Sequence, residues 1–151
     1  MSDCDTAAMA RQPGDDNDWD MMLAHRPLEQ RSAVRERFVE NGIGPDQVKE
    51  PLADLGRSLA DALASGEDGW ADPFGGHLAV ALLAAEVGAF AARLTSRASA
   101  VRAHAVDALL EEYSAVTVAA RLGVSRQKVY EIARGGDLSK SRGGSRDGRR
   151  P

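Results

Sequence analysis

The sequence predicts an all-α fold, a helical bundle with a long central helix and a trihelical unit at its C-terminal end. Apolar residues recur at spacings of three and four in several segments, which is the period of one helix face, and no segment alternates as a strand would. Alanine is plentiful, whereas the 151 residues include only 3 Phe, 2 Tyr and 2 Trp. A chain of this length supports one domain of ordinary size, or a small domain with tails.

The amino-acid composition restricts the cellular compartment in which the protein is expected. Cys4 is the only cysteine, so an internal disulfide cannot form and a reducing, cytoplasmic location is expected. The N-terminus is acidic rather than basic and apolar, which argues against a secretory signal. The longest apolar run, 78–92, contains Glu86 and is shorter than the ~20 residues of a membrane span. We therefore expect no membrane partner.

The N-terminal part divides into two predicted regions. Residues 1–20 carry six aspartates against Arg11 alone, a composition that cannot bury enough apolar surface to order itself, so they are predicted to be a disordered acidic leader. Trp19, Met21, Met22 and Leu23 are interpreted either as the beginning of the ordered part or as a short apolar anchor. Residues 21–96 are predicted to be helical and to have a possible role in dimerisation. Within them, a helix over 28–40 is expected to stop at Asn41-Gly42.

A second helix start is predicted at Gly44-Pro45-Asp46. Pro51 then predicts either a kink or a new helix with this proline in its first turn. From there the leucines recur at spacings of three, four and four, which predicts one continuous apolar stripe. These leucines are Leu52, Leu55, Leu59 and Leu63.

The long central helix is predicted over 78–112, where apolar residues follow a rhythm of three and four that slips at Ala98. The residues that carry the rhythm are Val80, Leu83, Val87, Phe90, Leu94, Val101, Ala105 and Leu109. One helix, or two joined near Thr95-Ser96, would both fit. The alanine-rich face of this segment predicts either a homodimer interface or a monomeric bundle.

Residues 113–134 are typical of two short helices joined by a tight turn. The first helix turns Val118, Ala119 and Leu122 inward, and the second turns Val129 and Ile132 inward. An earlier helix, 101–113, is expected to cover them with apolar residues that recur on one face. Those residues are Val106, Leu109 and Leu110.

The turn itself has residues suited to its geometry. Gly123 interrupts the apolar pattern where a helix needs a left-handed C-terminal residue, which glycine adopts without a Cβ penalty. Ser125 is a good N-cap, because its hydroxyl can accept from the first N–H groups of the next helix.

These residues resemble the helix-turn-helix of DNA-binding regulators and recombinases. A small residue, Ala119, stands where two helices cross, Gly123 and Val124 follow it, and Val129 and Ile132 anchor the second helix. The phrase LGVSRQKVY is similar to resolvase tails and to bacterial one-domain regulators. The resemblance implies a sequence-specific binder of double-stranded DNA, with residues 97–134 as its helix-turn-helix domain.

The resemblance also implies which residues meet DNA, since the second helix would lie in the major groove. Arg126 would pair with guanine and Gln127 with adenine. Tyr130 would reach a phosphate or a thymine methyl group, and Lys128 and Arg134 would contact phosphate. The full predicted set is Ser125, Arg126, Gln127, Lys128, Tyr130 and Arg134.

Two residues of this segment have alternative roles. Ser125 would offer its N–H to phosphate or serve only as a cap. Glu131 would accept from cytosine or, as we favour, hold Lys128 or Arg134 as a local partner.

Charge is distributed unevenly along the chain. Residues 1–100 hold 9 basic and 17 acidic side chains, whereas residues 101–151 hold 10 basic and 6 acidic ones. A cationic end can approach phosphates although the whole chain carries −4. Residues 135–151 are predicted to be a disordered basic tail that follows the DNA backbone, or only a solvated terminus. The acidic leader is interpreted as a solubilising segment or as a competitor of DNA for this basic end.

Catalysis is not predicted. His25, His77 and His104 lack metal-ligand spacing, and Cys4 lies in the leader. We expect no enzyme activity, no catalytic or metal-binding residue and no cofactor, and any small-molecule effector is unknown.

The leading hypothesis is a bacterial transcriptional regulator that binds two half-sites as a homodimer. The alternatives are a protein-interaction module that docks RNA polymerase or another regulator, and an accessory DNA-binding factor in recombination.

Overall fold

A computed structural model describes residues 13–141, and all regular structure in that range is helical, which confirms the all-α prediction. The α-helices are α1 (Pro13–Met22), α2 (Leu28–Glu40), α3 (Pro45–Ala53), α4 (Arg57–Ala64), α5 (His77–Glu112), α6 (Ala115–Leu122) and α7 (Arg126–Ser141). A short 3-10 helix, Asp72–Phe74, precedes α5. The chain forms two compact units whose boundary lies between Ala91 and Ala92, whereas the sequence suggested 96–97. We call them the N-terminal unit and the C-terminal unit.

The predicted acidic leader, 1–20, overlaps a helix, because α1 begins at Pro13. Trp19 is only 4 % exposed, and its ring stacks on Phe38 of α2 at a centroid distance of 5.9 Å. Asp16, one of the leader's aspartates, forms an ion pair with Arg35 of α2. The prediction of disorder is therefore wrong for residues 13–20: burial of one large aromatic side chain offsets the polar composition around it. The rest of the predicted leader, 1–12, lies outside the described residues, as does Cys4.

The core of the N-terminal unit draws on α1 to α5. Its buried members are Trp19, Leu23, Val34, Phe38, Ile43, Val48, Leu59, Ala79 and Leu83. Among the side chains that the structure describes, one charged residue is buried beside this apolar cluster: Glu86 of α5 is 2 % exposed.

Two residues of the α1–α2 connection bind the buried Glu86 carboxylate. Arg26 donates to both of its oxygens, from Nε at 3.0 Å and from Nη2 at 2.9 Å. His25 Nε2 lies 2.5 Å from Oε1. The hydrogen bond to Glu86 raises the pKa of the Arg26 guanidinium, against the opposing effect of burial. This triad joins two parts of the chain that are 60 residues apart.

The predicted leucine stripe is broken between α3 and α4. Helix α3 ends at Ala53 with Pro51 inside it, so neither a kinked continuation nor a new helix beginning at Pro51 is present. The N–H of Gly56 donates to the carbonyl of Pro51 at 2.8 Å, and Leu55 takes a left-handed φ of 60°, which is a Schellman ending of the helix. Leu55 is consequently 71 % exposed, and of the four leucines only Leu59 is fully buried.

Asp54 caps the start of α4. Its Oδ2 accepts the N–H of Ser58 at 3.0 Å. The nearby Ser58 side chain, together with the backbone N–H groups of Ser58, Gly56 and Arg57, lowers the pKa of the Asp54 carboxyl below its ordinary value of 3.8, although burial opposes this. The charged form of Asp54 therefore stabilises the folded state.

We predict that Asp54→Asn lowers the melting temperature of the protein near neutral pH and that this difference disappears in acid. The folded-state pKa of Asp54 is lower than the unfolded one, so its stabilising effect is fully present above pH 3.8 and is lost as the pH falls through the folded value. Thermal melts of wild type and variant at a series of pH values below neutrality would test this. Asp61→Asn, an exposed aspartate of the same helix, is the control; a difference that persists unchanged in acid would contradict the capping role.

Helix α5 settles the choice between one helix and two over 78–112. It is a single helix of 36 residues, and Thr95 and Ser96 lie inside it, since each hydroxyl residue costs a helix no more than about 0.7 kcal/mol, far less than proline does. By length and composition alone, α5 could cross a membrane: an 18-residue stretch has a mean hydropathy of 1.7 and is 22 % buried within the protein. Glu86, bound by His25 and Arg26, is typical of a helix that packs on protein.

Candidate nucleic-acid interface

The C-terminal unit is held together by a small apolar core from three helices. The fully buried residues are Val106 of α5, Val118 and Ala119 of α6, and Val129 of α7. Around them lie partly buried side chains: Leu109, Leu110, Val124, Ile132 and Ala133. These are the contacts expected from the sequence, except that Leu122 is 39 % exposed instead of inward.

The turn between α6 and α7 has the predicted chemistry. Gly123 ends α6 in the left-handed region, with φ 68° and ψ 31°. The N–H of Val124 donates to the carbonyl of Ala119 at 3.1 Å. Nothing lies within 4 Å of the position that a Cβ would take on Gly123, so backbone conformation, and not space, favours glycine here.

Both helices have serine caps. Ser125 Oγ accepts the N–H of Lys128 at 3.1 Å, and Ser114 Oγ accepts the N–H of Thr117 at 3.2 Å. The first cap was predicted. Ser114 was not singled out, although a serine just before the apolar pattern of α6 was a signal that could have identified it.

Helix α7 is longer than predicted. It runs from Arg126 to Ser141, so the prediction that the chain loses regular structure from residue 135 is wrong for 135–141. Glycine costs a helix about 1 kcal/mol relative to alanine but, unlike proline, removes no hydrogen bond. Gly135 and Gly136 therefore weaken the helix without ending it. The remaining tail, 142–151, lies outside the described residues.

All six residues predicted to contact DNA are exposed and lie at the beginning of α7 or just before it. They are Ser125, Arg126, Gln127, Lys128, Tyr130 and Arg134. Val129, in their midst, is 0 % exposed, whereas Tyr130 is 47 % exposed. The burial of Val129 thus fixes which side of α7 remains open to a partner.

Local contacts position several of these side chains. Glu131 is the local partner that we favoured: it lies 3.6 Å from Lys128 Nζ and accepts from Gln127 Nε2 at 3.4 Å. Arg134 Nε donates to the carbonyl of Tyr130 at 3.3 Å. Arg126 has neither a hydrogen bond nor an ion pair with any residue in the part of the chain that the structure describes, so its donors are available to a ligand.

Arg121 is an exposed cation of the C-terminal unit that sequence reasoning did not single out. The guanidinium carbon of Arg121, in the last turn of α6, lies 4.7 Å from the centroid of the Tyr113 ring. Such a cation–π contact restrains an exposed arginine and contributes about 0.5–1 kcal/mol. A turn separates the two residues, so no helical spacing indicated this contact.

The chemistry available at this surface is that of recognition. The first three turns of α7 offer two arginines, one lysine, an amide and a phenol against the single carboxylate of Glu131, which suits an anionic partner with hydrogen-bonding edges. Within residues 16–135, whose side chains the structure describes, no three His, Cys, Asp or Glu side chains come together as a metal site would require. Neither protein-family models, nor curated proteins, nor solved structures yield a match to this chain.

Proposed function

We propose that the C-terminal unit is a helix-turn-helix that binds double-stranded DNA with sequence specificity, and that the protein is a bacterial transcriptional regulator rather than an enzyme. One observation carries the proposal: Val129 is fully buried while Arg126, Gln127 and Tyr130 on the same helix are exposed. An α-helix with such a face fits the major groove, which is about 12 Å wide.

Arg126 and Gln127 are the residues we assign to base reading. Both lie in the first turn of α7, the part of a recognition helix that reaches base edges. The guanidinium of Arg126 matches the O6 and N7 atoms of guanine, and the amide of Gln127 matches N6 and N7 of adenine. The long hydrogen bond of Gln127 to Glu131, at 3.4 Å, is readily exchanged for a shorter one to a base.

Lys128, Tyr130 and Arg134 are assigned to phosphate, with Tyr130 also able to meet a thymine methyl group. Contacts to phosphate orient a protein on the duplex without selecting a sequence. The pairing of Lys128 with Glu131 does not prevent this, since exposed pairs of this kind contribute only about 0.3–0.5 kcal/mol. Ser125 completes the set through its cap and its N–H at the helix N-terminus.

Selection of bound duplexes from a random pool by the full chain is the direct test. We expect one enriched motif, with two copies spaced about 34–36 Å apart, or a multiple of this, if two copies of the protein bind together. Binding should weaken steeply as salt is raised, because phosphate contacts release counterions. No enriched motif, or equal affinity for every duplex, would contradict sequence-specific recognition.

We predict that Arg126→Ala and Lys128→Ala have different signatures on DNA. Loss of Arg126 should reduce discrimination at one base pair by about 1–3 kcal/mol. Loss of Lys128 should weaken binding to all sequences alike and lower the salt slope by about one. Titrations of matched and single-mismatch duplexes at several salt concentrations would separate the two, and equal effects of both changes on every sequence would rule out base reading by Arg126.

A protein partner for the C-terminal unit is the second candidate, favoured by exposed apolar side chains on α6. Val116 is 63 % exposed and Leu122 is 39 % exposed. A module that docks RNA polymerase or another regulator would bind through this surface, and that binding would persist at high salt and ignore DNA. An accessory role in recombination would require the same DNA contacts and is distinguished by its target site.

A further inference from the structure

Within the C-terminal unit, α5 has two apolar faces on opposite sides. One side belongs to the core of the unit, with Ala103 and Val106 each 2 % exposed. The other side carries five apolar residues, all exposed, which we call the α5 seam. Its members are Leu94, Ala98, Val101, Ala105 and Ala108.

The exposure of the α5 seam is unusual for a surface helix. The face of an amphipathic helix that points away from its core is normally charged or polar. Here Leu94 is 43 % exposed and Val101 is 71 % exposed. The seam residues follow one another at spacings of four, three, four and three, which is the heptad pattern of helices that pair with another helix.

We propose that the α5 seam binds a second copy of this chain, with the two α5 helices antiparallel. In this pairing Leu94 lies opposite Ala105 of the second copy, and Ala98 lies opposite Val101 of the second copy. Each large side chain then faces an alanine, so the distance between the helix axes is the same in the layers formed by these four residues, and Ala108 lies at the end of the seam beyond them.

A parallel pairing in register fits the seam poorly. It would place Leu94 on Leu94 and Val101 on Val101, but Ala98 on Ala98, so that crowded layers would alternate with voids. It would also place Arg97 of each copy beside Arg102 of the other. The two arginines flank the seam on opposite edges and are five residues apart, and in parallel coiled coils such positions of the two helices lie next to each other. Packing and charge therefore favour the same orientation.

The size of the α5 seam determines how strongly the two copies are expected to bind each other. From Leu94 to Ala108 it is about 21 Å long, at about 1.5 Å per residue. A contact of this length between two helices is small compared with the interfaces of obligate dimers. We therefore expect a dimer that dissociates on dilution and whose formation does not require DNA.

The first test is the mass of the full chain in solution, measured by sedimentation equilibrium over a concentration series without DNA. Val101→Asp should raise the dissociation constant about 100-fold or more, because each copy would bury an unpaired carboxylate. Ser96→Asp places the same charge on an exposed position of α5 outside the seam and should leave the dimer intact. A monomer at all concentrations, or a dimer that tolerates Val101→Asp, would overturn the proposal. Because DNA is absent, this result is independent of the proposed function.

The second test addresses orientation by disulfide cross-linking, which requires Cα atoms within about 7 Å. Val101→Cys and Ala98→Cys are introduced into separate chains that also carry Cys4→Ser. The antiparallel pairing predicts that a mixture of the two variants cross-links faster than either variant alone. Faster cross-linking of each variant with itself would indicate the parallel arrangement and overturn the assigned orientation.

Discussion

Arg26→Met is expected to lower the free energy of unfolding of the N-terminal unit by about 3 kcal/mol. The side chain of Glu86 is 3 % exposed, whereas that of Arg26 is 24 % exposed. Removal of Arg26 therefore leaves a buried carboxylate with His25 as its remaining side-chain partner. Because water reaches the position of Arg26, we expect a value at the low end of the range for a broken buried ion pair.

The measurement can be confined to this unit. Both tryptophans, Trp19 and Trp70, belong to it, and Trp19 is buried in its core. Urea unfolding followed by tryptophan fluorescence therefore reports on the N-terminal unit, while far-UV circular dichroism reports on all helices.

Two further variants separate the ion pair from general effects of substitution. Arg37→Met removes an exposed arginine from the same cleft, which Glu86 and Arg26 also line, and should change stability by less than about 0.5 kcal/mol. The double variant Arg26→Met/Glu86→Leu should recover most of the lost stability, because it removes the buried carboxylate together with the guanidinium that neutralises it. A double variant as unstable as Arg26→Met alone would show that packing, and not charge, accounts for the loss.

The local features of the C-terminal unit were predictable because short-range chemistry determines them. The left-handed backbone at Gly123 and the cap from Ser125 each involve residues close in sequence. The burial of Val129 follows from helical phase alone. The bounds of α2, Leu28–Glu40, were predicted for the same reason, since Asn41-Gly42 marks its end.

Features that depend on distant residues were not predictable. The triad of His25, Arg26 and Glu86 joins segments with no shared spacing, and Glu86 looked like an interruption of an apolar run. The predicted leader, 1–20, extended over Trp19 because composition averages over neighbours, whereas the burial of Trp19 depends on Phe38 of another helix.

Two errors in the predicted helix bounds had local causes that the apolar pattern does not reveal. The leucine stripe continues in the sequence across residues 54–56, but the chain reverses there through Leu55 in a left-handed conformation. The end of α7 was placed too early because the glycine- and serine-rich composition from Gly135 onward was interpreted as that of a disordered tail. A periodic pattern therefore indicates which residues share a face only as long as the helix continues.

Val129→Asp is expected to unfold the C-terminal unit, with a loss of more than about 4 kcal/mol. Val129 is 0 % exposed and is enclosed by Val106, Val118 and Ala119. A carboxylate at this position would either be buried without a partner or require α7 to separate from the core. We expect the amide signals of residues 114–134 to collapse in two-dimensional NMR, while the tryptophan fluorescence of the N-terminal unit remains close to that of the wild type.

The same variant connects the core to the proposed function. If the exposed face of α7 reads DNA, Val129→Asp should abolish binding to all duplexes, since the helix is no longer held. Gln127→Asp adds the same carboxylate at an exposed position two residues away and should leave the helix folded. Its effect on DNA should then be confined to contacts that Gln127 makes and to repulsion of nearby phosphates. Full DNA binding by an unfolded Val129→Asp unit would mean that affinity resides elsewhere in the chain, and the assignment of α7 as the recognition helix would be wrong.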